Sequence, residues 1–272
     1  MISVPLGRHH GREAAASLPP LVDRPIGQTL QPEFIIGSGP ILLLADHASN
    51  HVPDDIDLGI DPGLLDRHIA IDIGTADLAR ALAVMLNAPA ILATVSRLVI
   101  DLHRQVDHPG LVPDMSDGHP IPGNVGVDRL ARVARFHGPY HAAIADAIKR
   151  HRPSLIASIH SFTPALETGS APRPWEVGIL YNRDTRAATD AMTLLRAANI
   201  VTGYNEPYSG RVLNATLNRH GEGNGIASFA IEVRNDLITT PAGVSHWCAV
   251  LAPIVSAIAG QHVLGQTAAI RV

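Results

Sequence analysis

Cysteine is almost absent from this sequence. The single one, Cys248, can neither close an internal disulfide nor build a thiolate zinc site, so any metal here must be held by imidazole and carboxylate. A chain so poor in thiols suits a reducing compartment. Blocks of like charge are missing as well. The formal charge of −4 is spread along 272 residues, which leaves no electrostatic footprint for nucleic acid or for an anionic membrane and makes small molecules the favoured partners. No run of about twenty apolar residues stands out, and Met1-Ile2-Ser3 does not open a basic segment followed by an apolar one. These absences predict a cytoplasmic protein, and they leave its oligomeric state open.

What is present is an ordinary globular balance, 46% hydrophobic and 17% charged, on a chain long enough to bury a large core in one domain. Residues 1 to 33 carry Gly, Pro and Arg without an apolar period and predict an irregular arm, ahead of a single α/β domain over 34–272. Short continuous apolar runs predict buried strands at 41–45, 155–159 and 177–181, and the residues around Glu232, 227–233, predict a fourth. Residues 90–102 read as a strand or strand pair interrupted at Ser96-Arg97. Helical spacing marks 62–86, broken at Gly74, then 127–151, 185–198 and 244–260. Two stretches rich in polar and turn-forming residues, 107–124 and 205–210, predict loops over a site. Strands alternating with helices define an α/β architecture, whose functional groups gather beyond the carboxyl ends of the strands.

Fifteen histidines are many, but position rather than number decides their meaning. His47 and His160 end two apolar runs, and Glu232 lies inside a third. A catalytic zinc needs about three protein ligands and one open position, and imidazole mixed with carboxylate is the usual set when thiolate is lacking. Asp72 is the preferred third ligand over Asn50, because a carboxylate suits a hard cation better than an amide. His68 stands four residues before Asp72 and shares its face if that turn is helical. Each residue also has a structural reading: a strand-end histidine can be a hydrogen-bonded loop residue, and Asp72 can stabilise the first turn of a helix starting at Thr75. Glu232 can pair with Arg234 on the same strand face, although a carboxylate among apolar residues costs several kcal/mol unless paired or used. Arg97 and Arg104 can grip a substrate carboxylate or a developing oxyanion, while an Asp101–Arg104 surface salt bridge is the simpler account of that segment.

In order, the pieces Asp46-His47-Ala48-Ser49-Asn50-His51-Val52-Pro53, His68 to Gly74, Ser96 to Arg104, Ile159-His160-Ser161 and Ile231-Glu232-Val233-Arg234 resemble the N-formylglutamate amidohydrolase family, over roughly residues 40 to 240. The resemblance implies a fold like that of the zinc carboxypeptidases and phosphorylase/hydrolase-like proteins. That is a three-layer sandwich with a central mixed, mostly parallel sheet of eight strands and helices on both faces. It also implies His47 and His160 as metal ligands, Glu232 as general base and acid, and Arg104 as the group that meets a substrate carboxylate. The chain departs from the pattern twice: His103 stands where the family has Asn, and Asn50 stands where the carboxypeptidases place a ligating Glu.

The activity expected is cleavage of the amide bond of a small N-acyl amino acid by a water whose pKa a divalent metal, zinc first, lowers to about 7. Glu232 and Arg104 are the expected catalytic residues. Arg97, Arg104, Asn124, Asn205 and Tyr208 are expected to bind substrate, and His47, Asp72 and His160 to bind the metal. Three rivals stand beside this reading: a metal-free hydrolase using Ser49 or Ser161, neither of which lies in a Gly-x-Ser-x-Gly elbow; a non-catalytic carboxylate binder; and a peptidase or cell-wall amidase.

Overall fold

The computed structural model describes residues 30–169 and 171–269. Most of the irregular arm expected over 1–33 lies outside them. Strands β1 (Glu33–Ile35) and β2 (Ile41–Ala45) are followed by helix α1 (Thr75–Leu86) and strand β3 (Ala90–Leu92). A small hairpin of β4 (Met115–Ser116) and β5 (His119–Pro120) comes next. Helix α2 (Arg129–Arg132) runs through a π-helical turn, Val133–His137, into α3 (Gly138–His151). The rest alternates: β6 (Leu155–Phe162), β7 (Val177–Leu180), α4 (Arg186–Ala197), β8 (Thr202–Tyr204), α5 (Ala215–His220), β9 (Ala227–Arg234) and α6 (Pro241–Ala269).

Among the described residues seven strands form one sheet in the order β1-β3-β2-β6-β9-β7-β8, where the resemblance implied eight. Neighbours are parallel except for β1 against β3 and β7 against β9, so the sheet is mixed and mostly parallel. Side chains alternate across a strand. Leu43, Ala157, Ile159, Phe229 and Ile231 therefore face one core, closed by Leu78 and Leu82 of α1, Ala188 and Met192 of α4, and Trp247, Leu251 and Val255 of α6. Leu42, Leu44, Ile156 and Ala230 face the other, closed by Tyr140, Ile144 and Ala147 of α3 and Leu217 of α5. The result is a three-layer sandwich.

Three expectations need correction. Only Ala90–Leu92 of the 90–102 run is a strand. Beyond it Ser96 turns the chain, its Oγ donating to the carbonyl of Ala70 while its own carbonyl accepts from the amide of Val99; Leu98, Val99 and Ile100 are still buried. The first half of 62–86 holds only a short 3-10 turn, Pro62–Asp66, before α1 starts behind Gly74, whose φ of 78° is left-handed. Finally, Pro241–His262 is long and apolar enough to cross a membrane by length and composition, with a mean hydropathy of 1.6. That apolar run packs one side, from Trp247 to Ala259, into the core against α1 and α4.

Candidate active site

The site grows from the alternation just described. On β2 the face of Leu42 and Leu44 continues to Asp46, on β6 the face of Ile156 and Ser158 continues to His160, and on β9 the face of Ala230 continues to Glu232. Parallel pairing sets His160 directly beside Glu232. On the far side of Glu232 the antiparallel neighbour is Gly178 of β7. Here a glycine is needed for space: a Cβ would come 2.2 Å from the carbonyl oxygen of Glu206 and 3.3 Å from the Cβ of Glu232. Gly178→Ala is expected to cost about 1–3 kcal/mol, the usual penalty of overpacking, and to slow turnover by displacing Glu232. Urea unfolding and steady-state rates check this; an unchanged unfolding midpoint would count against it.

His47 and His160 come together with ring centroids 5.1 Å apart. Both turn Nδ1 to the same atom, Asp72 Oδ2, at 3.2 Å for His47 and 2.9 Å for His160. Asp72 is held there by its amide, which donates to the carbonyl of His47. Its carboxylate does not cap α1, whose N-cap is Gly74 without a side-chain bond. Nor does Asp72 share a helical face with His68, because the 67–74 segment is a series of turns. His68 points instead to Asp117 at 2.8 Å, and the other candidate, Asn50, donates to Asp66.

A cavity of about 300 Å³ opens over this group, lined by His47, Asp72, Arg97, Arg104, His160, Tyr208 and Glu232 among others. Arg97 is tied to two acids, Nη1 to Asp72 Oδ1 and Nη2 to Asp101 Oδ2, both at 3.0 Å. The Asp101–Arg104 pair exists at 3.3 Å, but it is not a surface pair, since Asp101 is buried and Arg104 half-buried. Among the described residues Arg104 Nη1 has no hydrogen-bond partner. The backbone that carries Arg104 is braced from below, since His141 Nε2 and His137 Nε2 donate to the carbonyls of Leu102 and Arg104. Burial lowers His141 to about 3, so it is neutral and donates through that nitrogen.

Asn124 and Asn205 do not line the cavity. Asn124 is buried and donates to the carbonyls of Leu98 and Pro113, bracing the 107–124 loop from within. Asn205 sits at a φ of 53° with Oδ1 accepting from the amides of Tyr181 and Gly210, a turn-forming role. Arg234 pairs with Asp236 and leaves Glu232 alone. Glu232 Oε2 is buried without a partner among the described residues. Its pKa is pushed up to about 7, first by burial and then by the charge of Asp72, against the pull of His160. Burial by itself would lower His160, but hydrogen bonds to Asp46 and Asp72 outweigh it and hold that imidazole well above its ordinary value.

Asp46 and His103 were not singled out as site residues in the sequence. Asp46 Oδ2 lies 3.2 Å from His160 Nε2 and 3.1 Å from His103 Nδ1, and Thr216 donates to Oδ1 at 2.8 Å. Strand alternation past Leu44 is a signal that places Asp46. Nothing local marks His103, whose partner Thr216 is 113 residues further on.

Among the described residues three groups of side chains have the donor atoms for a metal, all within 4.8 Å of one another in each. His47, Asp72 and His160 fit a divalent cation best: two imidazoles and one carboxylate, buried, facing the cavity, beside the orphaned oxygen of Glu232. Asp46, His103 and His160 form a second group, but Asp46 is sealed behind the cavity. The third, His68, Asp117 and Glu167, is a loop clasp in which Asp117 already accepts from the amides of Glu167 and Thr168. The serine rival finds no support. Ser49 Oγ accepts from the amide of His51, and Ser161 Oγ donates to the carbonyl of Ile73. Ser158 does reach His160 at 3.0 Å, but it is buried, donates to Asp46 and does not line the cavity.

Sequence comparison places this α/β sandwich among the amide-bond hydrolases. The sequence profile of the N-formylglutamate amidohydrolases matches residues 39–239, and the chain belongs to that family. A solved structure of a gene product from Agrobacterium tumefaciens is similar, with a TM-score of 0.81 and 28% identity over 87% of this chain and 96% of that one. An N-formylglutamate amidohydrolase from Ralstonia eutropha JMP134 shares the fold with a TM-score of 0.67 and 20% identity, over 86% of this chain and 99% of that one. No curated protein matches the sequence.

Proposed function

We propose that the chain cleaves the amide bond of a small N-acyl amino acid of the N-formylglutamate kind, with Glu232 as general base and acid and His47, Asp72 and His160 holding a divalent cation. The observation that carries this reading is Glu232 itself. It is a buried acid with an unpartnered oxygen and a pKa near neutrality, in the wall of a cavity shared with two converging imidazoles. A protein that only bound carboxylates would gain nothing from such a group, whose burial is costly unless it is used.

A cation in that set, zinc by preference for its mixture of imidazole and carboxylate, would supply Lewis-acid polarisation and acidify water in the cavity. Glu232 takes a proton from that water and returns it to the leaving amine, for which a pKa close to the working pH is the suitable setting. Arg104 offers its free Nη1 to the substrate carboxylate. Arg97 has both Nη atoms engaged by Asp72 and Asp101; it fixes those acids and adds its charge to the cavity, while Tyr208 closes the wall. A cavity of about 300 Å³ suits an amino-acid derivative better than a polymeric substrate, which favours this reading over a peptidase or cell-wall amidase. A cytoplasmic setting, which the free and buried Cys248 suits, belongs to the same reading.

The test is a panel of N-acyl amino acids, beginning with N-formylglutamate, offered to protein of known metal content before and after chelation. Metal-dependent turnover is expected, restricted to substrates with a free carboxylate; no turnover of any member by metal-replete protein sinks the reading. Arg104→Met keeps the side chain's length and removes its donors. It should raise KM about 10–100-fold, the value of a hydrogen bond to a charged group, with a smaller change in kcat.

A further inference from the structure

Each imidazole of the central pair rests on a buried acid of its own. His47 turns Nε2 to Asp101 Oδ1 at 2.7 Å, and His160 turns Nε2 to Asp46 Oδ2 at 3.2 Å. Neither acid lines the cavity. Both are held from several sides. Asp46 Oδ1 accepts from Thr216 at 2.8 Å, and Oδ2 lies 3.1 Å from both Ser158 Oγ and His103 Nδ1. Asp101 Oδ1 also accepts from the amide of His103 at 3.0 Å, and Oδ2 accepts from Arg97 Nη2 and lies 3.3 Å from Arg104 Nε. Acids anchored in this way cannot swing aside, and an ionised carboxylate can only accept. A carboxylate sealed behind Nε2 therefore keeps the proton there, and Nδ1, which faces Asp72 Oδ2 on the cavity side, is the nitrogen free to exchange its proton for a cation.

The geometry assigns Asp46 and Asp101 as positioning residues that keep both imidazoles protonated on Nε2, so that a cation beside Asp72 Oδ2 would be met by two Nδ1 atoms giving up their protons to it. The assignment rests on the proposed cation site. It also gives a task to His103: its ring and its amide hold one acid each. The two acids come from different places, the end of β2 and the turn after Ser96, so one substitution disturbs one imidazole.

The test loads the protein with cadmium-113 and reads coupling to nitrogen-15-labelled histidine. In the wild type, coupling is expected through Nδ1 of both His47 and His160, with a proton on each Nε2. Asp46→Asn and Asp101→Asn each allow an NH2 to face Nε2, which favours the wrong tautomer, as in the serine-protease triad when its Asp becomes Asn. Each variant should lose about 10–100-fold in cadmium and zinc affinity while unfolding cooperatively. Coupling through Nε2 in the wild type overturns the proposal, as does unchanged affinity in the folded variants. Should the variants not fold, the wild-type coupling pattern decides alone. A wild type that takes up no cadmium overturns the cation site and the proposal together, an outcome distinct from binding through the wrong nitrogen.

Discussion

Glu232→Gln is expected to keep the fold and any bound metal and to lose between about 10² and 10⁴ in kcat, the range that a positioned general base contributes. The amide copies the shape of the protonated acid but cannot take a proton. Since Glu232 acts as a base only when ionised, wild-type kcat/KM should rise with pH as its carboxylate forms, and the variant should lack that limb. Stability moves the other way. A folded pKa above the ordinary 4.5 means that the native state binds this proton more tightly than the unfolded chain does. The stabilisation is fully present below about 4.5 and disappears as pH rises through about 7. In metal-free protein above that pH, Glu232→Gln should be the more stable of the two, by an amount on the order of 3 kcal/mol. Metal analysis, a pH–rate profile and urea unfolding on either side of neutrality check the three parts; retained turnover removes Glu232 from the role of base.

The second large effect is expected for Asp72→Ala. Asp72 is buried and bonded to His47, His160 and Arg97, and those contacts hold its carboxyl well below the usual carboxylate range against the opposing effect of burial. Removing it leaves Arg97 with an unmatched Nη1 and two imidazoles without their shared acceptor. Breaking a buried ion pair from one side costs about 3–5 kcal/mol, which for a chain of this size lowers Tm by roughly 10 °C. Bound metal should disappear at the same time. Atomic emission and thermal unfolding separate the consequences: a fallen Tm with full metal content would make Asp72 a structural anchor and not a ligand.

Much of this site could be read from one strand at a time. His47, His160 and Glu232 stand out because apolar runs isolate them, and alternation with Ile156 and Ala230 accounts for His160 and Glu232 meeting on one face, whereas His47 reaches them only through the turn at 46–47 that follows β2. The loops were harder. Asn124 and Asn205 belong to polar stretches that do border the cavity region, yet their amides serve the backbone, at Leu98 and Pro113 and at Tyr181 and Gly210. An asparagine that satisfies a turn and one that faces a substrate look alike in sequence, since both follow from the same hydrogen-bonding side chain. Asp101 and Arg104 illustrate the converse. Their spacing fits a surface pair, and only the packing of Leu98, Val99 and Ile100 shows that the segment runs inside.

By itself, then, the amino-acid order determined the α/β class, the buried strands and the three residues that punctuate them, because apolar period and strand alternation act over a few neighbouring residues. The tertiary structure alone decided that Asp72 rather than Asn50 or His68 meets the imidazoles. It also decided that Asp46 and Asp101 back them, and that His103 and Thr216 hold the backing in place. Those choices depend on irregular turns at 67–74 and 96–104 and on contacts between residues 25 to 170 positions apart. At that range no local period connects the partners, and only the closing of the sheet brings them within hydrogen-bonding distance.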